Sequence, residues 1–193
     1  MNVSTFAVTE ILKNGVTVSI RAIRPADQAG IVEAFGKLDP ESVYTRFFQF
    51  KPSLSAQELK AASEVDFQNV VALVVTTKFG GREMIIGGRY MTLDPSRTTH
   101  RAEVAFLVEE DYHGQGLAGR LLKHLAHLAR ELGVRQFEAD VLPQNQAMLA
   151  VFARSGLPME QRSEDGFIHV TLSLATDRSQ CDSKNTTRTQ PIA

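Results

Sequence analysis

The stretch of sequence that decides the fold runs from Val104 to Leu122 and reads VAFLVEEDYHGQGLAGRLL. An apolar strand pattern leads into an acidic turn, then into three closely spaced glycines and the start of a leucine-rich helix. Glycines before a helix let several backbone N–H groups point outward together, and the helix dipole adds partial positive charge there. The pattern therefore predicts an anion site suited to a phosphate or diphosphate.

The helix that follows the glycines is predicted over residues 116–132 and is strongly amphipathic. Its leucines and alanines fall on one arc at helical spacing, and its charged residues and histidines fill the other. Gly133 is placed to end it. The glycine turn therefore lies between a strand and a helix whose apolar face must be buried.

The rest of the chain reads as alternating strands and helices. Asn14-Gly15 joins two β-rich runs in a predicted hairpin, and the short turns between the three middle strands predict an antiparallel meander. The predicted strands are 4–12, 16–22, 70–75, 83–93, 101–108, 136–141, 157–162 and 166–174. The other predicted helices are 24–38 (with Ile31, Val32, Phe35 and Leu38 on its apolar face), 41–48, 55–64 and 144–155.

Composition limits the classes of function. With 43% hydrophobic and 22% charged residues the chain is expected to be globular. Its net charge of −1 lacks the excess of basic residues that is typical of proteins that bind nucleic acid. No apolar run approaches the roughly 18 residues of a membrane span, and the N-terminus does not read as a signal peptide. The single cysteine, Cys181, favours a reducing, cytoplasmic location. We expect a domain over 1–174 and a polar, flexible tail over 175–193.

Three interpretations of the glycine turn compete at this point. A P-loop is excluded because no Lys-Ser or Lys-Thr follows the glycines. A dinucleotide fingerprint is matched by Gly114, Gly116 and Gly119, with Asp140 in the next strand. It is disfavoured because residues 109–113 separate the strand from the first glycine, and because too little chain follows for a doubly wound sheet. A plain turn that starts a helix stays open.

The motifs resemble those of the GNAT superfamily of N-acetyltransferases. Residues 104–122 resemble its motif A, a strand followed by (Arg or Gln)-x-x-Gly-x-(Gly or Ala) and a helix; Gly116 and Ala118 match, and His113 replaces the usual Arg or Gln. Asn145 with Gly156-Leu157 resembles motif B. The segment from Ile20 to Phe48 resembles the start of the GNAT domain in Pat-like bacterial protein lysine acetyltransferases. Together the resemblance covers about residues 16–173.

The resemblance implies a fold and a donor site. The fold would be α/β (α+β), a mixed, mostly antiparallel sheet of about seven strands with splayed central strands and helices on both faces. Acetyl-CoA would be the co-substrate, with its pantetheine arm in the gap between the splayed strands and its diphosphate on the glycine turn. The residues implied are Phe106, Leu107 and Val108 for the arm, Asn145 as its hydrogen-bond partner, and His113, Gly114, Gln115, Gly116, Leu117, Ala118 and Gly119 for the diphosphate. Asn145 is equally suited to cap a helix.

Acetyl transfer to an amine needs the neutral amine, and a lysine with a pKa near 10.4 is only about one part in 10³ neutral at pH 7. A base is therefore useful, and Glu103 is the candidate, because Pat-like enzymes carry their general-base glutamate in this strand. The alternative is a solvated Glu103 beside Arg101. Many GNAT enzymes place a tyrosine general acid where this chain has Phe152. The oxyanion donor would be a strand amide near Leu107.

The expected function is transfer of an acetyl group from acetyl-CoA to a primary amine, on a protein lysine or a small molecule. The alternative is a non-catalytic module that senses acetyl-CoA. No metal is expected, since the five histidines lack a ligand pattern. No nucleic-acid or membrane partner is expected, and a homodimer is left open. The acceptor pocket would be built by residues 38–50 and the last hairpin, with candidates Tyr44, Arg46, Phe47 and Phe48.

Overall fold

The structure, a computed structural model, describes residues 2–49, 51–77, 84–94, 96, 98–107 and 114–175. The strands are β1 (Ala7–Ile11), β2 (Thr17–Ala22), β3 (Val70–Thr77), β4 (Met84–Thr92), β5 (Arg101–Phe106), β6 (Gln136–Val141), β7 (Met159–Glu164) and β8 (Phe167–Ser173). The helices are α1 (Gln28–Gly36), α2 (Pro40–Phe47), α3 (Ala56–Ser63), α4 (Leu117–Glu131) and α5 (Gln146–Ala153). Predictions for residues 79–81, 109–113 and 176–193 lie outside the described residues.

The strands form one sheet in the order β1-β2-β3-β4-β5-β6-β8-β7. All neighbouring pairs are antiparallel except β5 and β6, which are parallel because α4 carries the chain from one end of the sheet to the other between them. The predicted meander of β3, β4 and β5 and the mixed, mostly antiparallel α/β fold are confirmed. The described sheet has eight strands, whereas the resemblance implied about seven.

The parallel pairing of β5 with β6 is short. It joins Arg101 to Gln136, Ala102 to Phe137 and Glu103 to Glu138, and no further pair follows among the described residues. Strand β5 nevertheless continues to Phe106 and β6 to Val141. The two strands therefore diverge beyond Glu103, as expected for splayed central strands, and a gap opens between their carboxyl ends.

The core lies on both faces of the sheet. On one face α4 buries its leucines against β2 to β6 and β8, and Leu121, Leu125 and Leu128 have no exposed surface. Burying each such side chain stabilises the fold by roughly 1.5–3 kcal/mol. On the other face Ala34 of α1 packs on Ala72 of β3. Strand β3 is therefore buried on both faces, as its unbroken apolar run predicted. No helix in the described ranges combines the length and apolarity needed to cross a membrane.

The starts of β1 and α1 and the exposure of one side chain differ most from the sequence expectation. Strand β1 begins at Ala7 instead of residue 4, because Val3–Thr5 form a 3-10 turn capped by the side chain of Asn2. Likewise α1 begins at Gln28, because Pro25–Asp27 form a 3-10 turn ahead of it. Val32 was expected in the core but is 52% exposed, since α1 turns Ala34 and Phe35 inward.

The turn before α1 is fixed by an ion pair with Arg21 of β2. Its guanidinium donates two hydrogen bonds, of 2.8 and 2.7 Å, to the carboxylate of Asp27, which also accepts the Arg24 amide at 2.8 Å. Burial alone would raise the pKa of Asp27. The hydrogen bonds from Arg21 and Arg24 and the charge of Arg21 outweigh it, so this pKa lies below its usual value. The pair holds the start of α1 on the sheet.

We expect Asp27→Asn to lower the free energy of unfolding at pH 7 by about 2–3 kcal/mol, because it breaks charge-assisted hydrogen bonds that are largely buried. Because the pKa is lowered in the folded state, the stabilisation is complete above about pH 4 and is lost as the pH falls through the lowered pKa. Urea denaturation across this range should show the wild type and the variant converging. The control Glu33→Gln, in the exposed pair with Lys37, should change stability by less than about 0.5 kcal/mol.

Candidate functional site

The gap between β5 and β6 is part of one long cleft of about 1130 Å³. Its walls come from the end of β5, the first turn of α4, the end of β6 and the segment 144–155 that contains α5. One end meets the glycine turn and the other meets the start of α2. Among the residues predicted to bind a donor, the cleft is lined by Phe106, Leu107, Gly114, Gly116, Leu117, Ala118, Gly119 and Asn145. Val108 and His113 lie outside the described residues, and Gln115 belongs to the same turn.

The glycine turn depends on backbone conformations that side chains disfavour. Gly114 has φ of +72°, and Gly116, the N-cap of α4, has φ of +84°. Both lie in the left-handed region, where residues with a Cβ pay about 1–2 kcal/mol. This conformation ends the turn directly on the first helical residue, Leu117, which is buried. The N-terminus of α4 consequently opens into the cleft with no side chain from residues 114 or 116 over it.

Strand β5 turns its backbone groups alternately to its two neighbours. The Leu107 amide donates to the Gly87 carbonyl of β4 at 2.9 Å, and the Arg101 carbonyl accepts from Leu93 at 3.0 Å. In an antiparallel ladder every second residue points its N–H and C=O to the same neighbour, and the residues in between point theirs to the other side. Val104 and Phe106 therefore direct their backbone groups toward β6 and the gap. The Leu107 amide is therefore engaged with β4, and the amide near Leu107 that faces the gap is that of Phe106.

Aromatic rings close the bottom of the gap. Phe152 of α5 is 1% exposed, and its ring centroid lies 6.2 Å from that of Phe106. A Cβ added to Gly88 of β4 would clash with the Phe106 ring at 2.6 Å, so a glycine is needed at this position for the ring to pack there. Phe152, at the position of the family tyrosine, thus packs as a buried apolar side chain below the splayed strands.

Asn145 has a structural role that the sequence left open. Its side-chain oxygen accepts the Met148 amide at 3.1 Å and caps α5. The N-cap interpretation is confirmed. Because Asn145 also lines the cleft, its NH₂ group remains as a donor on the same side chain.

The end of the cleft near α2 is acidic, with Asp39, Glu41, Glu103 and Asp140 along it. Neighbouring carboxylates on this face are engaged: Glu138 accepts from Arg101 at 2.8 Å and from Gln136 at 2.9 Å, and Asp140 pairs closely with His169. The side chain of Glu103 is exposed, and within the described part of the chain its carboxylate forms no hydrogen bond or ion pair. Of the strand carboxylates at this end, Glu103 is thus the one that faces the cleft without a described partner.

The opposite end is basic, and sequence reasoning missed this feature. Lys13, Arg120 and Lys123 line the cleft around the glycine turn. Arg120 pairs closely with Glu10 of β1 and donates to the Ile11 carbonyl at 2.6 Å, while His124 contacts Glu10 at 2.9 Å. Burial alone would raise the pKa of Glu10, but its hydrogen bond with His124 and the charge of Arg120 lower it below the usual value. No local pattern links residue 13 to residue 116, so only the folded chain brings them together.

The candidate acceptor residues divide between core and cleft. The Phe47 ring lies 6.0 Å from that of Phe35 and packs on α1, whereas Phe48 contacts Phe167 at 4.8 Å and lines the cleft. Tyr44 is 45% exposed, and the side chain of Arg46 lies outside what the structure describes. In the described ranges, no three His, Cys, Asp or Glu side chains are grouped to hold a metal.

A sheet that splays beside a glycine turn at a helix N-terminus is the architecture expected from motifs A and B. The family model described as acetyltransferase (GNAT) family matches residues 37–157, which include β5, the glycine turn, α4 and α5. The chain belongs to this family, and the resemblance is confirmed. The matched range leaves out the hairpin of β1 and β2.

Two acetyltransferases are similar to this chain in sequence. The chain is 30% identical to acetyltransferase Pat of Mycolicibacterium smegmatis over 145 residues, which are 75% of this chain and 42% of Pat. It is 28% identical to acetyltransferase PA5475 of Pseudomonas aeruginosa, over 86% of this chain and 88% of that protein. The chain thus spans less than half of Pat but most of PA5475.

Solved structures give the same fold. The GNAT domain of S. lividans PAT is 35% identical and superposes with a TM-score of 0.80, covering 86% of this chain and 96% of that domain. The yncA protein of Salmonella typhimurium, solved with its cofactor acetyl-CoA, is 18% identical with a TM-score of 0.66, over 86% of this chain and 98% of that one. At that identity the second likeness supports the fold alone.

Proposed function

We propose that this protein transfers an acetyl group from acetyl-CoA to a primary amine, with a protein lysine as the leading acceptor class and Glu103 as the general base. The observation that carries the proposal is the cleft in the β5–β6 gap, which joins a glycine turn at one end to the Glu103 carboxylate at the other. Membership of the acetyltransferase (GNAT) family supports the same donor, and the yncA protein, which shares the fold, was solved with acetyl-CoA. A cytoplasmic location, expected from the single cysteine, is part of the proposal.

The residues of the cleft fit acetyl-CoA, which supplies the activated acetyl thioester when it is bound. Backbone amides around Gly114, Gly116 and Ala118 would hold its diphosphate at the N-terminus of α4. The carbonyl groups of Val104 and Phe106, directed into the gap, would accept hydrogen bonds from the amide groups of the pantetheine arm, as those of a neighbouring strand would. The NH₂ group of Asn145 would donate to the same arm. Phe152 and Phe106 would exclude water below it.

Glu103 would accept the proton of the attacking amine. Its side chain is exposed on β5 at the acidic end of the cleft, where the carboxylate can reach an amine directly or through one water. Glu138 and Asp140 are less suited, because Arg101 and His169 already hold their oxygens. The Phe106 amide would donate to the oxygen that gains charge at the acetyl carbon. With Phe152 in place of a tyrosine, the leaving thiolate would take its proton from water.

The acidic end also suits the charge of the acceptor. A lysine side chain arrives as an ammonium ion, and Glu41, Glu103 and Asp140 give this end a negative potential. Small primary amines carry the same charge, so the charge alone favours both kinds of acceptor. The resemblance to Pat-like protein lysine acetyltransferases favours the protein lysine, and the relatives named Pat from M. smegmatis and S. lividans agree with that resemblance.

Gly116→Glu should abolish binding of CoA, because it places bulk and negative charge where the diphosphate is proposed to lie. Gly133→Glu is the matched control: Gly133 ends α4 with the same φ of +84° and open space around its Cβ position. Both variants should lose similar stability, about 1–2 kcal/mol, but only Gly116→Glu should lose binding in calorimetry. Wild-type affinity in folded Gly116→Glu would contradict the site. Tighter binding of a nicotinamide dinucleotide than of CoA would favour the dinucleotide interpretation.

Glu103→Gln should lower kcat roughly 10²–10⁴-fold, because the amide keeps the shape of the side chain but cannot accept the proton. Affinity for acetyl-CoA should stay within about twofold, since the residue contacts the acceptor end only. The loss should shrink as the pH rises and more of the amine becomes neutral on its own. A thiol-release assay over a panel of amines and lysine peptides measures all three.

Asp140→Asn is the control for Glu103→Gln, because it removes a second carboxylate from the same end of the cleft. It should retain most of the activity. An unchanged rate in Glu103→Gln, or the larger loss in Asp140→Asn, would overturn the assignment of the base. A wild type that binds acetyl-CoA tightly but acetylates no amine would support the sensor alternative.

We further propose that residues 1–174 suffice for transfer. Leu174 is the last anchored position described: its amide donates to the Arg135 carbonyl, and its carbonyl accepts from Arg130, both at 2.8 Å. Truncation after Leu174 should change Tm by at most about 1–2 °C and leave turnover intact. Truncation after Ser173, which also removes the buried Leu174, should lower Tm by several degrees. A large loss on the first truncation would show that residues 175–193 stabilise the protein.

A further inference from the structure

The hairpin of β1 and β2 ends in a turn that projects toward the glycine turn. The Leu12 amide donates to Val16 at 2.8 Å, Gly15 donates to Leu12 at 3.0 Å, and Gly15 takes φ of +83°. Lys13 lies at the tip of this turn. A Cβ built on Gly116 would be 3.6 Å from Cε of Lys13, so its ammonium group lies beside the N-terminus of α4.

The hairpin is fixed on α4 by polar and apolar contacts. Glu10 holds both Arg120 and His124, and Arg120 also donates to the Ile11 carbonyl. The Phe6 ring packs 5.4 Å from the His124 ring, and Leu12 is buried in the core. Lys13 is therefore placed at the cleft by a rigid connection to the helix whose N-terminus it faces.

Two of the cations at this end of the cleft, Arg120 and Lys13, differ in their partners. The charge of Arg120 is compensated by Glu10 in direct contact. The Lys13 ammonium, in contrast, forms no hydrogen bond or ion pair with any residue in the ranges that the structure describes. A lysine whose charge has no partner in the described part of the chain, beside outward-pointing amides, is suited to bind a phosphate group, as a point charge that adds to the amide donors.

We propose that Lys13 is a ligand of the diphosphate of the acyl-CoA donor and that the β1–β2 hairpin is therefore part of the donor site. The proposal rests on the proposed function, because it names a binding residue for that donor. It goes beyond the family pattern, since residue 13 lies outside the matched range 37–157.

The test compares Lys13→Ala with wild type on donors that differ in their phosphates. Lys13→Ala should weaken binding of acetyl-CoA about tenfold and flatten its dependence on salt, because one screened charge contact is lost. With dephospho-CoA thioesters, which keep the diphosphate, the loss should persist. With S-acetylpantetheine, which lacks it, wild type and variant should react equally. Lys13→Arg should restore most of the affinity, and the control Lys60→Ala, on α3 beside Glu64, should behave as wild type.

Each outcome separates this proposal from the proposed function. If wild type binds acetyl-CoA and Lys13→Ala binds it equally well, the role of Lys13 is wrong and the donor site stands. A loss that vanishes with dephospho-CoA, or one that persists with S-acetylpantetheine, also overturns the assignment to the diphosphate. If wild type itself does not bind acetyl-CoA, both proposals fail together. Unchanged thermal denaturation of Lys13→Ala excludes a folding defect as the cause.

Discussion

The short parallel pairing between β5 and β6 is the constraint on which the rest of the structure depends. Three residue pairs join the strands, and beyond Glu103 the ladder stops while both strands continue. The Val104 carbonyl and the backbone groups of Phe106 then face a gap instead of a neighbouring strand. Backbone polar groups are costly to bury without partners, so such a gap must stay open to water or be filled by a molecule with amide groups of its own.

The other parts of the cleft follow from that divergence. The splayed strands require something apolar beneath them, and the contact of Phe152 with Phe106 fills this space. The crossover that makes the pair parallel is α4, so its N-terminus, with Gly114 and Gly116 in left-handed conformation, is delivered to the same opening. One topological feature thus brings strand backbone, helix N-terminus and glycine turn to a single cleft.

Much of this could be predicted from the sequence because the determinants are local. The apolar arc of α4, the glycines before it and the unbroken run of β3 each have a period or a residue type that permits few conformations. The direction of the Leu107 amide could not be predicted, because shifting the register of β5 by one residue reverses every backbone group. The exposure of Val32 and the contact of His124 with Glu10 depend on neighbours distant in sequence, and hydrophobic periodicity carries no information about such neighbours.

The charges along the cleft give the site a direction that a net charge of −1 does not reveal. Lys13 and Lys123 lie at the end with the glycine turn, and Glu103 and Asp140 lie at the other. The cations gather where a phosphorylated donor would be held, and the carboxylates where an ammonium group would approach. Because exposed charges are screened within about 10 Å at moderate ionic strength, each end acts on its own partner.

The contact of Glu10 with Arg120 has a double effect in this arrangement. It compensates the guanidinium that would otherwise be the strongest cation at the glycine turn, and it docks the hairpin that brings Lys13 there instead. The N-terminal hairpin is then a wall of the cleft, positioned by the same helix whose first turn it faces.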